Sequence, residues 1–190
     1  MTSGIEIGFL LDRLWHQIRG EMEQSKRPAL LAIAQILADS AVPYAVIGGI
    51  ALQVHQQEPR TTLDIDLAVL SRAAIPAARL EAAGFVRTGS HAHSENWRAS
   101  DGTPVQFTDD PALAAAVHRA TSIDLSGVRL RVITAGDLLR EKLRAGADPA
   151  RRRSKRLQDL ADAQSLLEGD PALAAGLTEQ ERALLGRLPP

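Results

Sequence analysis

The 190-residue sequence contains no cysteine and few aromatic residues, namely two Trp, one Tyr and three Phe. The lack of cysteine excludes disulfides and Cys-ligated zinc, and it agrees with a reducing compartment. Because aromatic side chains are scarce, the core must be packed mainly by Leu, Ala, Ile and Val. Such a core suits helices laid against a modest sheet.

The sequence also lacks a strong excess of either charge and any apolar run long enough to span a membrane. Its formal net charge of −1 argues against a general polyanion binder, which needs a basic surface, but leaves room for a local basic patch. The opening MTSGIEIGFLLDRLWHQIRGE has neither the basic start nor the long apolar run of a signal peptide. We therefore expect a cytoplasmic protein without a membrane anchor.

Length and composition predict one domain over residues 1–190, because 45% hydrophobic residues suffice for one core with terminal additions. We expect an α+β protein in which a small mixed β-sheet is flanked by helices. Residues 1–42 are predicted to form N-terminal helices, residues 43–133 the sheet core, and residues 134–190 C-terminal helices.

Two N-terminal segments repeat apolar residues at helical spacing, and we expect both helices to cover the sheet. The residues are Leu11, Leu14, Trp15 and Ile18 in the first segment, and Leu30, Ile33 and Leu37 in the second.

A diglycine follows the first predicted strand. The order YAVI, Gly48-Gly49 and IALQVHQQ indicates strand, tight turn and helix. Bare backbone at this turn can approach a ligand, and the free N–H groups of the helix start can receive an anion such as triphosphate. Taken alone, the two glycines are better explained by a tight turn without any ligand.

The segment TTLDIDLAVL places two carboxylates on one strand. Its alternation predicts that Asp64 and Asp66 share a face, as paired ligands of divalent cations require. Arg60 and Thr62 lie close before them, so a cation and a hydroxyl can reach the same cleft, although loop solvation accounts for both. A DxD triplet alone also occurs by chance.

Local signals outline the rest of the chain. We predict a helix from about Ile75 to Ala83 closed by Gly84, a hairpin at Asp101-Gly102, and a helix opened by Asp110-Pro111. Strands follow near SIDLS and VRLRVIT, and the last third is helical. Its helix from about Pro149 to Glu168 carries Lys155, Asp159 and Asp162 on one face.

The string VIGGIALQVHQQEPRTTLDIDLAV resembles the signature of the nucleotidyltransferase superfamily, which has the polymerase-beta-like fold. The likeness is to the branch that contains AbiEii-type toxins and small antibiotic nucleotidyltransferases. The signature covers roughly Tyr44 to Leu70. A strand followed by a Lys-bearing helix and a Lys-x-x-x-Asp helix extends the resemblance to about Leu167.

The resemblance implies roles for these residues. It implies that Gly48 and Gly49 bind the phosphates of a nucleoside triphosphate, and that Asp64 and Asp66 bind Mg²⁺, with two ions at the site. Further nucleotide-binding and catalytic candidates follow from the same likeness: Arg60, Thr62, Lys142, Lys155 and Asp159. Lys155 and Asp159 could equally form an exposed i, i+4 ion pair.

The family's third metal-binding carboxylate has no counterpart here. The position with the right parity on the strand TPVQFT is Gln106, an amide that is a poorer ligand and no base. Asp110 shares this parity, but its place before Pro111 predicts a helix N-cap. Glu95, on the preceding strand of the hairpin, is the remaining candidate for the missing oxygen.

These features lead to three hypotheses. The first is a magnesium-dependent nucleotidyltransferase that uses ATP or another NTP and modifies a hydroxyl of a tRNA or protein, as a toxin paired with an antitoxin protein. The second is an antibiotic nucleotidyltransferase. The third is a catalytically impaired nucleotide-binding module, motivated by Gln106.

Two further features have open or structural interpretations. The basic run Arg151 to Arg156 either contacts RNA phosphates or forms a solvated helix start. Trp97 is predicted to pack in the core rather than to stack on a base.

Overall fold

A computed structural model describes residues 3–19, 25–56 and 60–186. Its centre is a seven-stranded mixed sheet with the order β3-β4-β5-β2-β1-β7-β6. The strands are β1 Tyr44–Ile47, β2 Ile65–Val69, β3 Val86–Ser90, β4 Ser94–Arg98, β5 Pro104–Thr108, β6 Thr121–Leu125 and β7 Val128–Val132. Strand β2 pairs with β5, and β1 with β7, in parallel, while the other neighbours are antiparallel.

Helices flank this sheet, so the predicted α+β architecture is confirmed. They are α1 Gly4–Ile18, α2 Arg27–Asp39, α3 Gly48–His55, α4 Ala77–Ala82, α5 Ala114–Arg119, α6 Ala135–Ala147, α7 Arg153–Gly169 and α8 Glu179–Leu185. None of the described helices combines the length and apolarity that crossing a bilayer requires.

The core lies around the two central strands. All four residues of β1 are buried, and Ile65, Leu67, Ala68 and Val69 of β2 are buried beside them. Strands buried on both faces need apolar residues at nearly every position, which is what YAVI and the end of IDLAV supply. The second N-terminal helix covers this core as predicted, because Leu30, Ile33 and Leu37 are completely buried.

The prediction for the first helix is wrong in its orientation. Leu14, Trp15 and Ile18 of α1 are 42%, 48% and 82% exposed, while Ile5 and Phe9 are buried. The helix carries two apolar stripes, and spacing alone does not say which of them meets the core. Contacts of α1 with α3 bury the stripe nearer its N-terminus.

The predicted turns and caps hold, with one shift in a helix start. Gly84 and Gly102 have φ of +87° and +88°, and the hairpin at Asp101-Gly102 joins β4 to β5. The helix expected from Pro149 begins only at Arg153. The reason is local: the Asp148 side chain accepts a 2.9 Å hydrogen bond from the Ala150 N–H and forms a turn there.

Candidate active site

The diglycine bend and the acidic strand touch each other directly. Gly48 follows β1 with φ of +63°, and a Cβ added to it would overlap the Asp66 carboxylate. A Cβ on Gly49 would overlap the Thr62 side chain. Both glycines are therefore required by close approach to the acidic segment, and Gly48 also by its left-handed turn conformation.

The two carboxylates line one cleft of about 1070 Å³ together with both glycines. Asp66 lies on β2 opposite Ile47, and Asp64 lies just before that strand. The Thr62 hydroxyl donates a 3.0 Å hydrogen bond to Asp64 Oδ1. Burial first, and then the neighbouring Asp64 charge, raise the pKa of Asp66 to about 7. Two acids forced together in this way favour a bound cation.

Gln106 occupies the position next to this pair. In the parallel register of β2 and β5, Asp66 lies beside Gln106, and the exposed amide lines the same cleft. The predicted place of Gln106 is therefore observed, and its neutral side chain can offer one carbonyl oxygen to a ligand.

Glu95 does not replace it. The antiparallel register of β4 and β5 sets Glu95 opposite Phe107, so its side chain leaves from the face of the sheet away from Gln106. Its carboxylate is buried, accepts a 2.7 Å hydrogen bond from Trp97 Nε1 and lies 3.4 Å from an Arg87 nitrogen. Trp97 itself is 1% exposed, which confirms its predicted packing role.

Asp110 is engaged as a cap. One oxygen accepts a 2.9 Å hydrogen bond from the Ala112 N–H at the start of a short 3₁₀ turn, as predicted, and the other lies 2.8 Å from Arg144 Nη1. Although Asp110 lines the cleft, its charge is compensated.

A buried ionic network links helices α6 and α7 to the acidic loop. Lys142 Nζ lies 3.0 Å from Asp159 Oδ1 and 3.1 Å from Asp162 Oδ2. Arg60 forms a bidentate pair with Asp162 at 2.9 and 2.8 Å, and Arg151 Nε donates to Asp159 at 2.7 Å. Burial alone would lower the pKa of Lys142, but the surrounding carboxylates outweigh it and raise that pKa. The lysine is therefore held charged.

The structure places the two candidate lysines differently. Lys142 is 5% exposed and held in the network, while Lys155 is exposed at the cleft wall. The alternative ion pair between Lys155 and Asp159 is not formed, since Lys142 and Arg151 take the Asp159 oxygens.

Sequence reasoning missed several cleft residues, among them Glu141 and Arg144 of α6. Glu141 Oε2 is buried and has no hydrogen-bond partner within the described part of the chain. Burial raises the pKa of Glu141. No motif marks this residue, because its place in the cleft depends on how α6 packs beside the sheet.

The donor set fits a hard divalent cation. Asp64, Asp66 and the Gln106 amide offer oxygen atoms, which Mg²⁺ prefers. Within residues 3–19, 25–56 and 60–186, no three His, Asp or Glu side chains are arranged to hold an ion by themselves. Mg²⁺ commonly binds through one or two carboxylates plus waters and substrate phosphates, so a pair without a third direct ligand fits such an ion.

Solved structures share this architecture. A nucleotidyltransferase-like antigenic protein from Paracoccidioides brasiliensis aligns with a TM-score of 0.54 and 19% identity, over 84% of this chain and 90% of that one. ANT(2″)-Ia in complex with adenylyl-2″-tobramycin aligns at 0.54 and 13%, over 85% and 96%. The Megavirus polyadenylate synthase aligns at 0.57 and 15%, over 85% of this chain and 35% of that one. At such identities the likeness shows the nucleotidyltransferase fold.

Sequence comparison gives the family. A search of curated proteins found no significant match. The family model described as nucleotidyl transferase AbiEii toxin, type IV toxin–antitoxin system, matches residues 32–187, which include the diglycine, the acidic pair and the α6–α7 network. The chain therefore belongs to the AbiEii family of nucleotidyltransferases.

Proposed function

We propose that this protein is a magnesium-dependent enzyme that transfers a nucleoside monophosphate from an NTP to a hydroxyl of an RNA acceptor such as a tRNA, as the toxin of a toxin–antitoxin pair. The observation that carries the proposal is the contact of the Gly48 bend with the Asp66 carboxylate in a cleft that Asp64 also lines. This contact brings a phosphate-binding turn and two cation ligands together, as transfer at an α-phosphate requires.

The bend and the helix after it serve the triphosphate. The first N–H groups of α3 have no intrahelical acceptor and can receive phosphate oxygens, and both glycines of this helix start line the cleft. Arg60 and Lys142 hold the opposite wall in place through Asp162. Exposed Lys155 is free to extend toward the phosphates from that wall.

The acidic pair serves the reacting phosphate. Asp64 and Asp66 would hold Mg²⁺, which neutralises charge on the phosphates and activates the acceptor hydroxyl. Thr62 orients Asp64 by its hydrogen bond. In the reaction, the acceptor hydroxyl loses its proton to solvent water and its oxygen forms a bond to the α-phosphorus. The bond from that phosphorus to the bridging oxygen breaks, and pyrophosphate leaves with the electron pair.

A cationic rim supports RNA as the acceptor. Arg152 and Lys155, which form no ion pair among the described residues, line the cleft together with Arg144 and Arg151, although the whole chain has a net charge of −1. A basic patch of this kind binds a phosphate backbone through local neutralisation.

Transfer from α-³²P-labelled NTPs tests the proposal. Purified protein with Mg²⁺ should label total tRNA, and Asp64→Ala should abolish the labelling. Asp124→Ala, a matched change on the edge strand β6, should label tRNA to the same extent as the wild-type protein. Labelled protein in place of RNA, or labelled lincosamides or aminoglycosides, would redirect the acceptor assignment. Triphosphate binding without pyrophosphate release would support the hypothesis of a catalytically impaired nucleotide-binding module, which is based on Gln106.

The toxin assignment has its own test. Induced expression in a host should arrest growth, and Asp64→Ala should restore it. An antitoxin partner would be found as the product of the neighbouring gene that also restores growth. Growth unaffected by the wild-type protein at confirmed expression would contradict the toxin role and leave the transferase activity to be judged by labelling.

A further inference from the structure

The acidic side chains of the cleft fall into two groups. Asp12 pairs with Lys26, Asp110 with Arg144, and Asp159 with both Lys142 and Arg151. Three carboxylates that line the cleft have no cationic partner within ion-pair distance among the described residues: Asp64, Asp66 and Glu141. Two of these are the proposed cation ligands, and the third lies on α6.

Glu141 is left uncompensated although cations surround it. Arg144 and Arg151 are near enough to influence its charge, but they pair with Asp110 and Asp159 instead. Lys142, the next residue, turns toward Asp159 and Asp162. Burying a carboxylate oxygen without a partner costs free energy, so a purely structural role would favour Gln or a paired Glu at this position.

Glu141 lies in the cleft where Gln106 of β5 lacks the negative charge of a carboxylate. Gln106 stands beside Asp66 but contributes no negative charge. Glu141 lines the same cleft as Asp64, Asp66 and Gln106, and its buried Oε2 has no hydrogen-bond partner among the described residues. Glu141 therefore shares the electrostatic environment of the acidic pair from the α6 side.

We propose that Glu141 is the third acidic group of the divalent-cation site and contacts a cation held by Asp64 and Asp66 through the cation's water. This proposal rests on the proposed function. A water-mediated contact follows from two facts: the described acidic groups do not converge for direct three-residue ligation, and Mg²⁺ keeps several waters in proteins. Glu141 can accept hydrogen bonds from such waters with its free oxygen.

Cation binding measured without any acceptor tests this role. The probe is Mn²⁺, titrated calorimetrically with a non-hydrolysable ATP analogue and also alone. Glu141→Gln should weaken Mn²⁺ binding about tenfold, as is typical when a group that orients a metal's ligands is neutralised. Glu168→Gln, the same change at an exposed position of α7, should leave the affinity unchanged.

Thermal unfolding in metal-free buffer separates this role from a structural one. Because Glu141 is an uncompensated charge, Glu141→Gln should raise the Tm by about 2–4 °C while reducing the further rise that Mn²⁺ produces. A lower metal-free Tm together with weaker Mn²⁺ binding would make Glu141 a structural residue and overturn the proposal.

The remaining outcomes are distinguishable. Unchanged Mn²⁺ affinity in Glu141→Gln, with binding lost in Asp64→Asn, would refute the role of Glu141 and leave the proposed function intact. The absence of saturable Mn²⁺ binding by the wild-type protein would reject both.

Discussion

Gly48 joins the diglycine bend to the acidic strand because its missing side chain leaves room for the Asp66 carboxylate. Its φ of +63° adds a conformational reason for glycine. The sequence predicted the turn and its place at one site with the acidic pair, but not this direct contact, which depends on the pairing of β1 with β2.

Gly48→Ala should therefore destabilise the protein by about 3 kcal/mol, the sum of left-handed strain and overpacking. Gly127→Ala is the matched control, because Gly127 has φ of +80° but nothing lies within 4 Å of its added Cβ. The control should lose only about 1–2 kcal/mol. Urea denaturation measures both, and equal losses would argue against close packing at Gly48.

Asp66 should make the stability of the metal-free protein depend on pH. Its pKa in the fold is about 7, above the ordinary value of 3.8, so the folded state binds this proton more tightly than the unfolded state does. Its contribution to stability is present below pH 3.8 and is lost as the pH rises toward 7.

Relative to the wild type, Asp66→Asn should be more stabilising at pH 8 than at pH 5 in urea denaturation with EDTA. Asp124→Asn, at an exposed site on β6, should show a pH-independent difference. The same pH dependence in both variants would show that it does not come from Asp66.

At the scale of elements, α6 and α7 are held together by a buried charge. Lys142 lies between Asp159 and Asp162, and all three are 5% exposed or less. Removing one partner of such a network leaves unpaired buried charges. The network also anchors Arg60, and through it the loop that precedes the acidic strand.

Lys142→Met should destabilise the fold by about 3–5 kcal/mol. Lys155→Met, the matched change at an exposed position on α7, should alter stability by less than about 0.5 kcal/mol. Chemical denaturation of both variants measures the difference. If both changes were nearly neutral, the ionic network would not be what fastens α6 to α7.

The first helix shows what hydrophobic periodicity can and cannot predict about a single element. The pattern in α1 predicts a helix, and the helix is present from Gly4 to Ile18. The buried face, however, is set by its contact with α3, to which residues distant in sequence contribute. A pattern with two apolar stripes therefore determines the element but not its orientation.

At the scale of the whole molecule, the net charge is close to zero but basic residues are concentrated locally. The chain has a net charge of −1, yet one wall of the cleft gathers Arg144, Arg151, Arg152 and Lys155. Any RNA affinity should thus arise locally and depend on the few phosphates that this wall contacts.

The logarithm of the tRNA association constant should fall with the logarithm of salt concentration with a slope of about −1.4, as expected for two phosphate contacts, by Arg152 and Lys155, on a single strand. Arg152→Glu with Lys155→Glu should flatten the slope and weaken binding. Arg129→Glu with Arg182→Glu changes net charge equally at exposed sites outside the cleft and should do neither. Filter binding between 50 and 300 mM KCl gives the slopes. An equal effect of both double variants would mean that overall charge governs binding.

Local interactions within a few residues made much of this protein predictable from its sequence alone. The strand before Gly48-Gly49, the acidic pair at the start of β2, the Gly102 hairpin and the Asp110 cap each depend on neighbouring residues only. Their order along the chain also sufficed for the family.

Tertiary structure alone decided which charged groups share the cleft. Because of the strand register, Glu95 points away from the cleft and contacts Trp97. The packing of α6 places Glu141 in the cleft wall. In local sequence pattern, neither position differs from an ordinary surface glutamate. Tertiary packing also makes Lys142, and not Lys155, the partner of Asp159. The physical reason is that side-chain charges meet across strands and helices far apart in sequence, where pairing and burial, rather than local propensity, determine their neighbours.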